Sequence, residues 1–152
     1  MQLPHNALVV VADGRKSLFF RNEGDAEFPN LIVEQRLDAP RNPDDHDSAT
    51  DLAGRMQSTR ADGQGWSADG NVDNTDFHQQ AEDRFAAETA QLLKERALRH
   101  EFEALIVVAP PKTLGELRKH YHSEVSSRIA GEIDKALVGH TVPQIEEALS
   151  KA

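Results

Sequence analysis

The chain has no cysteine, and among its 152 residues it has a single tryptophan and a single tyrosine. Without cysteine there are no disulfides, thiol nucleophiles or thiolate metal sites, and the composition fits a reducing compartment. Long apolar runs are also missing. The longest is about six residues, against the roughly 18 that a membrane span requires, and no basic-then-apolar leader opens the sequence. These absences predict a cytoplasmic protein with no membrane partner. Basic residues are scarce relative to acidic ones, 17 against 26, for a net charge of -9. That balance repels polyphosphate at long range and argues against non-specific binding to free nucleic acid, although a local basic patch would still dock on structured RNA.

What is present reads as one α/β domain over residues 1–152, a length that buries roughly 70% of the unfolded surface. Leu105 to Val108, LIVV, is a β-branched run suited to a central parallel strand buried on both faces. Pro110 and Pro111 stop it. Thr113 and Glu116 then have capping-box spacing, and Leu114, Leu117, Tyr121 and Val125 continue one apolar stripe, which predicts a helix over 113–127. In open α/β sheets ligands bind beyond the carboxyl end of such a strand, so residues 110–118 are the first candidate site.

Ala7 to Ala12, ALVVVA, reads as another buried strand, and Asp13-Gly14-Arg15-Lys16 reads as a hairpin turn with glycine at a left-handed position. Residues 17–21 and 31–37 follow as second and third strands. From 38 to 75 periodicity is lost and Asp, Asn, Gly, Ser and Pro dominate, predicting a long flexible loop. Trp66 within it either returns to the core or lies in a partner surface. Asp76 reads as the cap of a crossover helix carrying Phe77, Ala81, Phe85, Leu92, Leu93 and Ala97 to about His100. Ile129 and Ile133 around Gly131 favour a strand, and Thr141 with Gln144 makes a capping box for a last helix. The order β-β-β-α-β-α-β-α predicts a three-layer α/β/α fold with a mixed five-stranded sheet, of ribonuclease-H-like or ribosomal-protein-like topology.

Chemistry is sparse. A nuclease of that layout needs an acid on the fourth strand, which here ends Val108-Ala109-Pro110, so Asp13 reads as a turn residue. Asp69 to Asp73 imitates the start of a calcium loop but lacks its glycine and its glutamate. The seven histidines are scattered, and no phosphate or dinucleotide glycine fingerprint occurs. No cofactor or metal is implied. Lys112, Arg118, Lys119 and Arg128 give the helix after the prolines a positive excess. This is either a solvated face or a receptor in which Arg118 and the helix N-terminus take a phosphate or carboxylate, with Arg55 folding over.

Three stretches, VVADGRKSLFFRN, TDLAGR and LIVVAPPKTLGELR, resemble the bacterial host attachment protein family. Proteins of that family look like the middle domain of archaeal and eukaryotic-type peptide-chain release factors. The resemblance implies the three-layer fold and a translational partner. Those factors carry a Gly-Gly-Gln tip before the long helix. Here the corresponding stretch is Asp62-Gly63-Gln64-Gly65, and its aspartate speaks against peptide release by Gln64. The expected ligand- or RNA-binding set is Asp13, Arg15, Asp51, Arg55, Pro110, Pro111, Lys112 and Arg118. The partner expected there is the ribosome, a structured RNA or an anionic small molecule. A non-enzymatic binder is favoured, and a hydrolase of an RNA-linked or phosphorylated substrate at the same crevice is the alternative.

Overall fold

The computed structural model describes residues 1–40 and 77–152 in full and the backbone of 66–76. Met1–Ala39 and Asp83–Ala152 form one compact unit, and Pro40–Glu82 forms a second, of which the helical backbone from Trp66 onward is described. The elements are β1 (Leu8–Ala12), β2 (Lys16–Asn22), β3 (Leu31–Asp38), α1 (Trp66–Leu98), β4 (Leu105–Val108), α2 (Pro111–His120), α3 (Ser123–Ser126), β5 (Ile129–Ile133) and α4 (Val142–Lys151).

The sheet is mixed and five-stranded, in the order β3-β2-β1-β4-β5. β1 pairs antiparallel with β2 and parallel with β4, β2 pairs antiparallel with β3, and β4 pairs parallel with β5. All strands except β2 therefore point the same way. β4 is parallel and wholly buried as its composition demands, but the middle place belongs to β1, and β4 lies next to the β5 edge.

Strand alternation divides the core in two. Leu8, Val10, Leu105 and Val107 face one side, where they meet Leu93 and Ala97 of α1 and Leu114 and Leu117 of α2. Val9, Val11, Ile106 and Val108 face the other side and meet Ile145 and Leu149 of α4. Helices thus cover both faces of the sheet, giving the three layers expected. The α4 capping box also forms, with Gln144 N–H donating to Thr141 Oγ1 at 3.3 Å and Thr141 N–H to Gln144 Oε1 at 2.9 Å.

Four local expectations are corrected. α1 begins at Trp66, so residues 66–75 are helical, Asp76 is not its cap, and the stretch from Asp69 to Asp73 is helix, not a calcium loop. No apolar stripe marks those turns, which is why periodicity misses them. α2 begins at Pro111, where proline's fixed φ suits the first helical position, and Pro110 caps it without a side-chain bond, so the Thr113–Glu116 box does not form. The helix expected to run to 127 breaks at Tyr121, which is extended (φ -65°, ψ 128°). His122 Nδ1 then accepts from Glu124 N–H at 3.0 Å and caps α3. Finally, no described glycine has positive φ. The β1–β2 turn is instead held by Asp13 Oδ1, which accepts from the N–H of Arg15 and of Lys16, both at 2.8 Å.

Candidate functional site

Because β1, β4 and β5 are parallel, whatever follows each of them gathers at one edge of the sheet. Val11 lies beside Val108, and Val108 beside Ile133. The register therefore brings the Asp13–Lys16 turn, the Pro110-Pro111 step and the Asp134-Lys135 pair into a row. Neighbouring strands are about 4.8 Å apart, so from β2 to β5 the row extends roughly 14 Å. α2 begins at the same edge, so its unpaired N–H groups and the positive end of its dipole point there.

Of the residues expected to act, Asp13, Arg15, Pro110, Pro111 and Lys112 come together at this edge. Asp13 is half-buried and its carboxylate is engaged by the turn's own N–H groups, as a turn residue requires. Arg118 does not join them. It lies roughly two turns, about 10 Å, along α2 from Pro111, and its Nε and Nη2 reach Glu132 Oε1 on β5 at 3.1 and 2.8 Å. That pairing raises the Arg118 pKa through the Glu132 hydrogen bond and charge. Beside the pair, burial pushes the Tyr121 hydroxyl well above its ordinary pKa, and the hydroxyl has no hydrogen-bond partner among the described residues. Asp51, Arg55 and Gln64 lie outside the described residues.

Two cations at this edge were missed by sequence reasoning: Lys16, at the start of β2, and Lys135, just beyond β5. Neither ammonium has a hydrogen bond or ion pair among the described residues. Their proximity to Lys112 comes from strand register, and no local spacing signals it. Among the described residues the edge thus carries Arg15, Lys16, Lys112 and Lys135 against Asp13, Asp38 and Asp134, a local excess of one positive charge on an acidic chain. Among the described residues no group of three or more His, Asp or Glu side chains is placed to hold a metal ion.

A family model for bacterial archaeo-eukaryotic release factor family 12 matches residues 6–149. The chain belongs to that family. No curated protein matches it. The match spans β1 to α4, so the release-factor-like domain includes the whole sheet and the basic edge just described. Among the described residues, no helix of this family member is long and apolar enough to cross a membrane.

Proposed function

We propose that this member of the release-factor family is a non-enzymatic interaction protein of the cytoplasm that docks on the ribosome, or on RNA structured like it, through the carboxyl edge of its sheet. The observation that carries the reading is the row of Arg15, Lys16, Lys112 and Lys135 on a chain whose net charge is -9. An acidic protein is repelled by an RNA surface overall, so it binds one by presenting a confined basic face in one orientation. The α2 N-terminus adds N–H donors of the kind that phosphate oxygens accept.

Binding is favoured over hydrolysis by the state of Asp13. Its Oδ1 accepts the two backbone hydrogen bonds that hold the β1–β2 turn, so the carboxylate has a structural duty there. The attachment role in the name of the resembling family is, in this reading, an indirect consequence of an intracellular activity.

The test is co-sedimentation with purified ribosomes over a salt series. The expected result is salt-sensitive association, with the Lys16→Ala/Lys135→Ala double variant lowering the salt slope by about 2, one unit for each phosphate no longer neutralised. No association at any salt, or association indifferent to both substitutions, refutes the reading.

A further inference from the structure

The opposite end of the sheet carries a hollow that RNA docking does not use. A cavity of about 800 Å³ opens between the start of β1, the end of β2 and the connection from α1 to β4. Two of its lining residues hold left-handed backbone without being glycine, Asn6 (φ 68°) and His100 (φ 58°). Asparagine tolerates this region. His100 is forced into it by the end of α1, where Glu101 N–H donates to the Arg96 carbonyl at 3.0 Å and His100 N–H to the Ala97 carbonyl at 2.9 Å. Those are the paired bonds of a Schellman motif, whose left-handed position usually holds glycine.

Several polar groups of the cavity are already engaged. Arg21 is consumed: Nε and Nη2 donate to Glu34 at 3.1 and 3.2 Å, and Nη1 donates to the Asn6 carbonyl at 2.9 Å. Glu101 is consumed as well, taking Arg96 at 2.9 Å and Arg99 at 3.0 Å. Glu23 and Glu103 are exposed, and their carboxylates have no bond or ion pair among the described residues.

The two imidazoles divide by role. His5 Nδ1 lies 2.6 Å from the Gly24 carbonyl, which only accepts, so Nδ1 carries a proton and Nε2 is the ring nitrogen left to the cavity. His100 Nδ1 faces an Arg128 Nη2 donor at 3.4 Å, so its proton sits on Nε2. The groups left without a partner among the described residues are therefore the carboxylates of Glu23 and Glu103, the second ring nitrogens of His5 and His100 and the Asn6 side-chain amide, and the only anions in this set are the two carboxylates. Pro4 supplies exposed apolar surface to the lining, with the buried Ala7 and Phe102 behind it.

We propose that this cavity binds an organic cation, a ligand with ammonium groups on an aliphatic stem, whose charges meet Glu23 and Glu103 while the stem lies along the lining between them. Such a cation is either a free polyamine or the lysine side chain of a partner peptide, and both present the same chemistry. The proposal does not rest on RNA docking, since the residues involved lie at the other end of the sheet.

The full chain is titrated with spermidine and, separately, with a short lysine-containing peptide blocked at both ends. Inorganic phosphate is the anionic control, and His5 and His100 ring signals are followed by NMR beside calorimetry. Physiological ionic strength screens simple attraction between a polycation and the net charge. Saturable binding of either cation is expected, with spermidine alone indicating the free source and peptide alone the partner source. Glu23→Gln/Glu103→Gln weakens binding by about tenfold or more, as removal of two charge-assisted hydrogen bonds requires, and leaves the unfolding midpoint unchanged because neither carboxylate has a structural partner among the described residues. Lys16→Ala/Lys135→Ala leaves this affinity unchanged. Failure of both cations to saturate, phosphate binding as well as spermidine, or wild-type affinity in the glutamine variant overturns the proposal.

Discussion

Among the described residues, Arg96 is the only charged side chain buried in the core, and it ties the edge strand β3 to the end of α1. Its Nη2 donates to Glu34 Oε1 at 2.6 Å, its Nε donates to Glu101 Oε1 at 2.9 Å, and its guanidinium lies 6.0 Å from the Phe19 ring centroid. Removing one member of a buried pair commonly costs about 3–5 kcal/mol, because the other charge is left unpaired. Here the discount is large. Glu34 keeps Arg21, Glu101 keeps Arg99, and their side chains are 33% and 34% exposed. Arg96 Nη1 is also buried without a partner among the described residues, a cost that a hydrophobic replacement removes.

Arg96→Met, which preserves the aliphatic stem, is therefore expected to cost about 1 kcal/mol. Arg96→Ala loses the stem as well, at about 0.8 kcal/mol per buried methylene, for about 3 kcal/mol in total. Urea unfolding followed by circular dichroism measures both, and for a chain of this size the melting temperature should fall by about 3 and about 9 °C respectively. Equal losses in the two variants would show that charge pairing, and not the stem, is what Arg96 supplies.

The same pair has a pH signature. Burial pushes the Glu34 pKa up, but hydrogen bonds and charge from Arg21 and Arg96 outweigh it, so the folded value lies below the ordinary 4.5. A depressed carboxylate contributes stability above its unfolded pKa and loses it as pH falls through the folded value. The gap between wild type and Arg96→Met should therefore narrow below about pH 4.5, and a gap constant down to about pH 3 would refute this assignment.

Three further outcomes follow from local geometry and charge. His100→Gly should stabilise the protein by about 0.5–1 kcal/mol in thermal unfolding, because glycine relieves the left-handed strain; no gain would mean that the Arg128 interaction offsets the strain. Gly24→Ala should destabilise by about 2 kcal/mol in urea, since a Cβ there would lie 2.0 Å from the Phe28 carbonyl and 2.7 Å from Asn30 N. Exchanging charge between the two ends, Lys135→Glu with Glu103→Lys, keeps the net charge at -9. It should nevertheless weaken ribosome co-sedimentation, and an unchanged result would show that position at the edge is irrelevant.

Much of the fold is legible because it is written in contiguous signals. ALVVVA and LIVV announce buried strands, Ile129 and Ile133 flank a strand through Gly131, and Thr141 with Gln144 closes its box as spaced. The parts that escape the sequence are those where the decisive partner is distant or the signal is weak. The first turns of α1 carry no stripe, and the break at Tyr121 depends on an imidazole cap that no spacing rule anticipates. Arg96 looks like a solvated charge when read alone. It lies three residues after Leu93, which itself follows Thr89 by four, and that helical spacing is the available sign that Arg96 shares the buried face. Lys16 and Lys135, more than a hundred residues apart, become neighbours of one row only through strand register.

The two ends of the sheet differ for a reason built into the topology. At the carboxyl edge β4 hands directly to α2, so the positive end of a helix dipole joins Arg15, Lys16, Lys112 and Lys135. At the other end α1 finishes a few residues before β4, so the negative end of a dipole joins Glu23 and Glu103. Among the described residues the helix dipole at each end has the same sign as the side-chain excess there, which is the basis of the two proposed sites on a chain of net charge -9. Helix dipole effects fall off within a turn and side-chain fields are screened within about a Debye length of 8 Å. With the strands between them, the two proposed sites would be independent, so RNA docking at one end would leave the other free for a cation.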